Sequence, residues 1–551
     1  MLISTCTHAR KNMSRLLVKN TIIEYTETGF GICFQNTGKV YFLYTIIENL
    51  NRAASLHPEK PVYINKDESL TFSELLLMAK SAATAVINNV QPGRPVAVLA
   101  SRNFLTPACF LGIAMAGCFY APMDPTAPDA RLRQILDVVK ADVLLADRDH
   151  LEQAESLGFE GRIILMEDAV STQADEAAIY RSMSTITEHS PIYVLFTSGS
   201  TGKPKGVLTS HHSMLCYLDG LNDVIGLDET DIIGNQAPFD YIAAIRDLYL
   251  PLITGATTIM LDPSEFAMPV QLIERLADAG VTTLCWSSTG LEIPAKLGAF
   301  DIDEGGKMVA SSLPPLRRVV YSGSVISNPL LRKWQDAFPD TVFINQYGPT
   351  EATGSCSYYV IDHPVDADEN ISIGRPYKHY QMLLLDADDK EPALGETGEI
   401  CIKGPALALG YYDAPEQTES AFVDNPLETH YRERIYRTGD IGRKDDEGNY
   451  YFLGRKDRQF KHLGHRIEPE EIEQKSMRID GLNDCMCVYN EGAKTIFLFY
   501  TGSATSRDIA LTLRSEIPSY MVPRKIVNLE EMPRLPNGKI DRKAVEALAL
   551  K

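Results

Sequence analysis

Phe196-Thr197-Ser198-Gly199-Ser200-Thr201-Gly202-Lys203-Pro204-Lys205-Gly206 follows directly on the apolar run Tyr193-Val194-Leu195. A buried strand therefore runs into a segment carrying three glycines, four hydroxyls and two lysines. Glycines let backbone N–H groups approach phosphate oxygens, hydroxyls add donors, and lysines supply positive charge. A polar turn alone would not need this combination, so the segment reads as a phosphate-binding loop. It is not a Walker loop, which would place Gly at Thr197 and Ser or Thr at Pro204.

Outward from this loop, short apolar runs recur along the chain: 95–100, 141–146, 162–166, 192–196, 257–261, 282–286, 317–323 and 342–348. Amphipathic stretches such as 213–221 and 269–280 separate them. Strands alternating with helices predict a largely parallel, helix-covered α/β sheet body. After about Gly374 the texture shifts to short strands and Gly turns, which predicts a β-rich subdomain. A charged crossing at Gly454-Arg455-Lys456-Asp457-Arg458 precedes a terminal segment with its own strand and helix patterns, expected to form a small α+β lid on a hinge. The expected division is an N-terminal extension of unknown role at 1–42, a core at 43–455 and a lid at 456–551. Residues 21–34 within the extension have the spacing of an additional hairpin.

The 551 residues suggest about three to five structural units. With 53 basic and 73 acidic residues the formal charge is −20. Such a surface disfavours nucleic acid and anionic membrane, so a polyanionic ligand must meet a local basic site. The uncharged stretch 103–123 contains Pro107, Gly112, Gly117 and Pro122 and reads as a buried helix and turn, not a membrane span. The N-terminus lacks a sustained apolar core, and the cysteines sit in apolar runs without metal or redox spacing; both point to a cytoplasmic protein with reduced thiols. His211 and His212 have no partner ligands at helical spacing.

Four further segments carry chemistry. In Asn345-Gln346-Tyr347-Gly348-Pro349-Thr350-Glu351 an aromatic face able to stack on a purine is followed by a carboxylate able to hold Mg²⁺. A helix start capped by Thr350 is the plainer alternative. Asp440, in Tyr436-Arg437-Thr438-Gly439-Asp440, could take two ribose hydroxyls. The hinge run continues through Lys461 to Arg466-Ile467-Glu468. Leu535-Pro536-Asn537-Gly538-Lys539 places a lysine on an exposed turn.

The order and spacing of these segments resemble the adenylate-forming (ANL) superfamily: nonribosomal peptide synthetase adenylation domains, D-alanine–carrier protein ligases, acyl-CoA synthetases and luciferases. The resemblance covers about residues 43–548. It implies ATP-dependent activation of a carboxylate as an acyl-adenylate, then transfer to a thiol. Thr197, Ser198, Gly199, Ser200, Thr201, Gly202, Lys203 and Lys205 would hold the β,γ-phosphates. Asn345, Gln346, Tyr347, Gly348, Pro349 and Thr350 would line the adenine and α-phosphate, and Glu351 would help bind Mg²⁺. Asp440 and Arg455 would hold the ribose, Lys539 would stabilise the transition state, and Asp457 would be the hinge.

In amino-acid-activating members an Asp at the position of Asp240 pairs with the substrate ammonium; a helix N-cap is the alternative role. Tyr241, Ala244, Cys285, Val320, Ser322, Gln346, Gly354 and Ser355 would line the rest of the substrate site. The resemblance, closest in Gly464–Glu473 and Tyr347–Thr353, implies a stand-alone ligase that activates a small amino acid and loads the phosphopantetheine thiol of a separate carrier protein. The alternatives are a CoA ligase for a small carboxylic acid and a non-catalytic nucleotide sensor. Leu409, in place of a basic residue, and Pro469 depart from the family pattern.

Overall fold

Parallel strands buried on both faces read as nearly continuous apolar runs, and the apolar runs of this sequence pair into two large sheets. The structure, a computed structural model, describes residues 45–66, 68–199, 203–535 and 539–550, and the backbone of four strands between 15 and 41. One sheet has the spatial order Arg162–Leu165, Val143–Ala146, Pro95–Leu99, Phe119–Met123, Pro191–Thr197, Lys205–Ser210, Gly410–Tyr411. It is parallel as far as Pro191–Thr197 and antiparallel beyond. The phosphate-loop segment thus lies where a parallel strand turns back on itself. The other sheet is parallel through Val342–Tyr347, Arg318–Ser322, Thr283–Ser287, Ile232–Asn235, Thr257–Met260 and Pro61–Asn65. Antiparallel strands close both of its edges.

Helices Ile46–Leu56, Phe72–Ile87, Leu105–Met115, His211–Ile225 and Ala244–Thr254 contribute to one apolar core with residues of both sheets. The uncharged stretch near 110 is such a core helix, buried over almost its whole length. Among the described residues no helix is long and apolar enough to cross a membrane. The β-rich segment expected after Gly374 is an antiparallel sheet of Gln381–Leu385, Thr397–Lys403, Arg434–Lys444, Phe422–Asp424 and Tyr450–Arg455. Near the N-terminus, Thr21–Glu24 pairs antiparallel with Cys33–Asn36 within a four-stranded sheet, in keeping with the expected hairpin.

Beyond Arg458 the chain builds cores of its own. The hairpin Phe460–His462 and His465–Ile467 turns through Leu463 and Gly464, both at positive φ (53° and 86°). Helix Pro469–Ser476 follows, with proline at its first turn, where a missing N–H costs nothing; Pro469 is therefore a helix-starting residue. Strands Leu482–Asn490 and Thr495–Gly502 pair antiparallel and Lys525–Asn528 adds in parallel. The apolar clusters under this sheet draw only on residues after Gln459.

The helix pair Phe72–Ile87 and Leu105–Met115 crosses at Gly112, where an added Cβ would lie 2.6 Å from Ala82 Cβ and 2.8 Å from the Ala79 carbonyl. Gly112→Val is expected to cost about 1–3 kcal/mol or more in denaturant unfolding. The exposed neighbour Leu77 changed to Ala should stay within about 0.5 kcal/mol of the parent.

Candidate active site

Strand register brings the expected substrate residues together. Cys285 pairs with Val320, which pairs with Ile344. Side chains two residues on point to the same face, so Ser322 and Gln346 continue these rows. The Gln346 amide is fixed by three partners: its Oε1 accepts from Ser355 Oγ (3.2 Å) and Arg246 Nη1 (3.3 Å), and its Nε2 donates to Tyr377 Oη (2.6 Å). Gly354, at φ 116°, lies against Tyr217, whose hydroxyl would be 3.2 Å from an added Cβ. Ala244, Cys285 and Val320 are fully buried. Asp240 stands in the turn before helix Ala244–Thr254, whose N-cap is Ala243, so the capping alternative for Asp240 does not hold. Burial and the neighbouring Asp124 push its carboxyl up to about 7, against the pull of Arg102 and Arg131.

The nucleotide-side residues form a second group. Tyr347 donates its hydroxyl to Asp440 Oδ2, and the Arg455 guanidinium binds Asp440 Oδ1 and both oxygens of Asp457 (2.7 and 2.9 Å). Gly439 is at φ 75°, and an added Cβ would meet Arg455 Nη2 at 2.7 Å, so the turn closes only with glycine here. Asn345 Nδ2 donates to the Ser372 carbonyl. Asn345, Gln346, Tyr347, Asp440, Arg455 and Lys461 face a cleft of about 1140 Å³ between the body and the terminal segment. Gly348 packs against the Gly354 carbonyl, which a Cβ would approach to 2.3 Å. Pro349 leads into the one-turn helix Thr350–Ala352.

Glu351 joins the two groups. It is fully buried, and both carboxylate oxygens accept from Arg466 Nη1 at 2.9 Å. Tyr411 Oη donates to Oε1 at 2.7 Å, and Lys205 Nζ stands 3.9 Å away, over the Tyr411 ring. Burial alone would raise the Glu351 pKa, but Arg466, Lys205 and Tyr411 hold it down to about 2. Burial works in turn against the Lys205 charge and lowers its pKa, with Glu351 opposing the fall. The hairpin carrying Arg466 is held further. Ser198 Oγ donates to the Arg466 carbonyl (2.7 Å), and Tyr241 Oη donates to the Gly464 carbonyl (2.7 Å). His465 stacks on Tyr520 with ring centroids 3.8 Å apart.

A second buried ion pair clamps the next helix: Arg131 Nη1 to Glu471 Oε1 at 2.8 Å, with side chains 6% and 1% exposed. Glu471 Oε2 also accepts from the Gly199 amide (3.3 Å), and Thr197 supplies its carbonyl to Arg131. The first residues of the phosphate loop are thus tied to residues beyond the hinge; Ser200, Thr201 and Gly202 lie outside the described residues, and Lys203 is exposed. Lys539 is also exposed, on a turn where the Leu535 amide donates to its carbonyl, and it does not line the cleft. Sequence reading passed over Arg131, Glu471, Tyr411 and Arg246. Of these only Arg246 left a signal, a charge within an apolar helix run.

Comparison with known proteins bears on the family and the fold. The family model described as "AMP-binding enzyme" matches residues 50–412. One of the subunits of mycosubtilin synthase from Bacillus subtilis is 33% identical over 91% of this chain, which covers 19% of that protein. Tyrocidine synthase 2 of Brevibacillus parabrevis is 29% identical over 93% of the chain and 14% of its own length. The chain thus spans about a fifth or less of these curated relatives. Among solved structures, an artificially fused adenylation–PCP di-domain NRPS from Klebsiella oxytoca superposes with TM-score 0.76 at 22% identity, covering 88% of this chain and 93% of that one. Holo-PA1221, an NRPS protein containing adenylation and PCP domains, gives 0.76 at 24%, covering 91% and 84%. Both structures share the fold.

Glu471→Ala would leave Arg131 buried without its partner, a loss of about 3–5 kcal/mol that falls on the seat between terminal segment and body. The expected result is faster proteolytic cleavage around Lys456–Arg458 with the body's own unfolding transition little changed.

Proposed function

The chain belongs to the AMP-binding enzymes, and on that premise we propose that it activates a small amino acid as its aminoacyl-adenylate and passes it to the phosphopantetheine thiol of a separate carrier protein. The observation that carries the amino-acid reading is Asp240, a partly buried carboxyl in the turn that leads through Tyr241 to helix Ala244–Thr254 and free of a capping role. An α-ammonium would favour its charged form, and the deep burial of the surroundings would strengthen that attraction. Ala244, Cys285, Val320, Ser322 and Gly354 contribute small or short side chains, in keeping with a small substrate. Tyr241 closes the side nearest the lid. The relatives whose names or titles point to peptide synthetases and PCP domains support a carrier as partner, and the acidic surface supports a soluble, cytoplasmic setting.

The proposed chemistry has two half-reactions. In the first, an oxygen of the substrate carboxylate attacks the α-phosphorus of ATP and pyrophosphate leaves. Tyr347, Asp440 and Arg455 would bind the nucleoside, and the 197–205 loop the departing phosphates. In the second, the carrier thiolate attacks the acyl carbon and AMP leaves. Most of the work is positioning and charge compensation. A carboxylate oxygen of Glu351 suits a hard cation, but Arg466 now engages both of its oxygens, so Glu351 would take up Mg²⁺ once Arg466 withdraws. Bound there, Mg²⁺ would neutralise phosphate charge.

The seated hairpin supports assigning this arrangement to the second half-reaction. Residues 456–551 act as a lid on Asp457, which keeps its carboxylate on Arg455 at the crossing. With Arg466 on Glu351 and Gly464 beside Tyr241, the lid presents the Lys461–Gly464 face to the site, and Lys539 stands outside. Rotation about the hinge would exchange them, delivering Lys539 as a compact movable charge for adenylate formation.

Amino-acid-dependent ATP–pyrophosphate exchange tests the reading; exchange with a simple carboxylic acid and with no amino acid would contradict it. Lys539→Ala should abolish exchange, by roughly a hundredfold or more, while transfer from a supplied aminoacyl-adenylate to the carrier stays near the parent rate. Because the ammonium requires ionised Asp240, kcat/KM for the amino acid should rise with pH through about 7, falling about tenfold per unit below it. Asp240→Asn should remove that limb of the profile and weaken the amino-acid KM most.

A further inference from the structure

Helix Ala244–Thr254 carries the buried charged pair Arg246-Asp247 between apolar residues on either side. Arg246 is 1% exposed, and its guanidinium reaches the layer of residues assigned above to the substrate side chain. Nη2 donates to the Cys285 carbonyl at 2.6 Å and Nη1 to Gln346 Oε1 at 3.3 Å. Gln346 is itself held by Ser355 and Tyr377, so it cannot swing away from the cation. Arg246 Nε has no hydrogen-bond partner among the described residues. A guanidinium offers five N–H donors, and the protein supplies two hydrogen bonds to them.

A plain structural ion pair with Asp247 does not account for this arrangement. Arg246 Nε and Asp247 Oδ1 are 3.6 Å apart, an ion-pair contact beyond hydrogen-bond range, and neither atom has a hydrogen-bond partner among the described residues. Asp247 gives its other oxygen to Asn235 Nδ2 at 2.7 Å. Burial pushes the Asp247 carboxyl up, against the pull of Arg246. Buried charges persist where they are paired and hydrogen-bonded, and three of the five donors here remain to be matched. The groups around the cation are the Cys285 carbonyl, Gln346, Asp247 and the hydroxyls of Tyr217 and Tyr377.

We infer that Arg246 is the floor of the side-chain pocket and selects an amino acid whose short side chain ends in an oxygen acceptor, a carboxylate or a carboxamide. Such a group presents its oxygens to the unmatched donors of the planar fork, as Arg does in bidentate recognition. An aliphatic side chain of the same size would cover the cation and return nothing. Sites built to hydrogen-bond a substrate group reject analogues lacking it by about 10⁴–10⁵-fold, whereas an apolar pocket distinguishes one methylene by about 10–200-fold. The inference rests on the amino-acid-activating reading and names its substrate class.

The test is pyrophosphate exchange by the full chain with a panel of amino acids, in the parent protein and in Arg246→Met and Arg246→Lys. The expected result is that aspartate or asparagine exceeds valine, leucine and alanine by at least about a hundredfold in kcat/KM. The ratio of aspartate to asparagine then separates carboxylate from carboxamide. Arg246→Met should lose that preference, and Arg246→Lys should keep part of it. Binding of a non-hydrolysable ATP analogue, measured separately, should be unchanged in both variants. If apolar amino acids win in the parent protein, or if the ranking survives in Arg246→Met, the assignment of Arg246 is overturned while the amino-acid reading stands. Exchange with no amino acid would instead remove the amino-acid reading, and this inference with it. Should a variant fail to fold, the ranking in the parent protein alone decides.

Discussion

A carboxylate with no surface in contact with water must be met by positive charge, and Glu351 is such a carboxylate. It follows strand Val342–Tyr347 directly, at the point where the substrate rows and the nucleotide residues converge. Lys205 and Tyr411 reach it from the body, and Arg466 completes its compensation from beyond the hinge. The position of the terminal segment follows from that requirement. With Arg466 in place, the Ser198, Tyr241 and Glu471 contacts close around the same seat. A group that competes for Glu351 therefore competes with the lid.

Under the proposed function one site would receive two kinds of cation service. Arg466 and Lys539 lie on the same terminal segment, one buried against Glu351 and the other exposed. Under the proposed mechanism they alternate, which links the chemistry of each half-reaction to a rigid-body position. The surface charge gains a sharper meaning as well. Under the proposed function, a net −20 chain would need local basic residues to meet a phosphate-bearing carrier. The hinge region supplies Arg455, Lys456, Arg458 and Lys461, yet Arg455 and Arg458 are engaged by Asp440, Asp457, Glu470 and Glu473. Lys456, although half exposed, reaches Glu399. Leu463 is exposed at the tip of the hairpin.

The body was readable because buried parallel strands leave unbroken apolar runs, and because the phosphate loop combines residue types that no ordinary turn requires. Cys285, Val320 and Ser322 fell on adjacent strands as expected because register repeats every two residues. What could not be read were contacts closed across long chain separations. Arg131 and Glu471 are 340 residues apart, and neither stands out from ordinary helix-surface charge. The placement of Lys539 was illegible for a different reason: under the proposed mechanism one sequence would serve two lid positions, and no local pattern marks which is occupied. Arg246 was legible in principle, since the charged pair Arg246-Asp247 between Ile245 and Leu248 interrupts an otherwise apolar helix run.

The most direct measurement separates the two half-reactions in Arg466→Met. The account predicts that amino-acid-dependent pyrophosphate exchange persists, because Lys539 serves that step with Arg466 withdrawn. Transfer from a supplied aminoacyl-adenylate to the carrier thiol should fall by at least about tenfold, since the seat on Glu351 is lost. An equal loss in both half-reactions, or a loss confined to exchange, would contradict it.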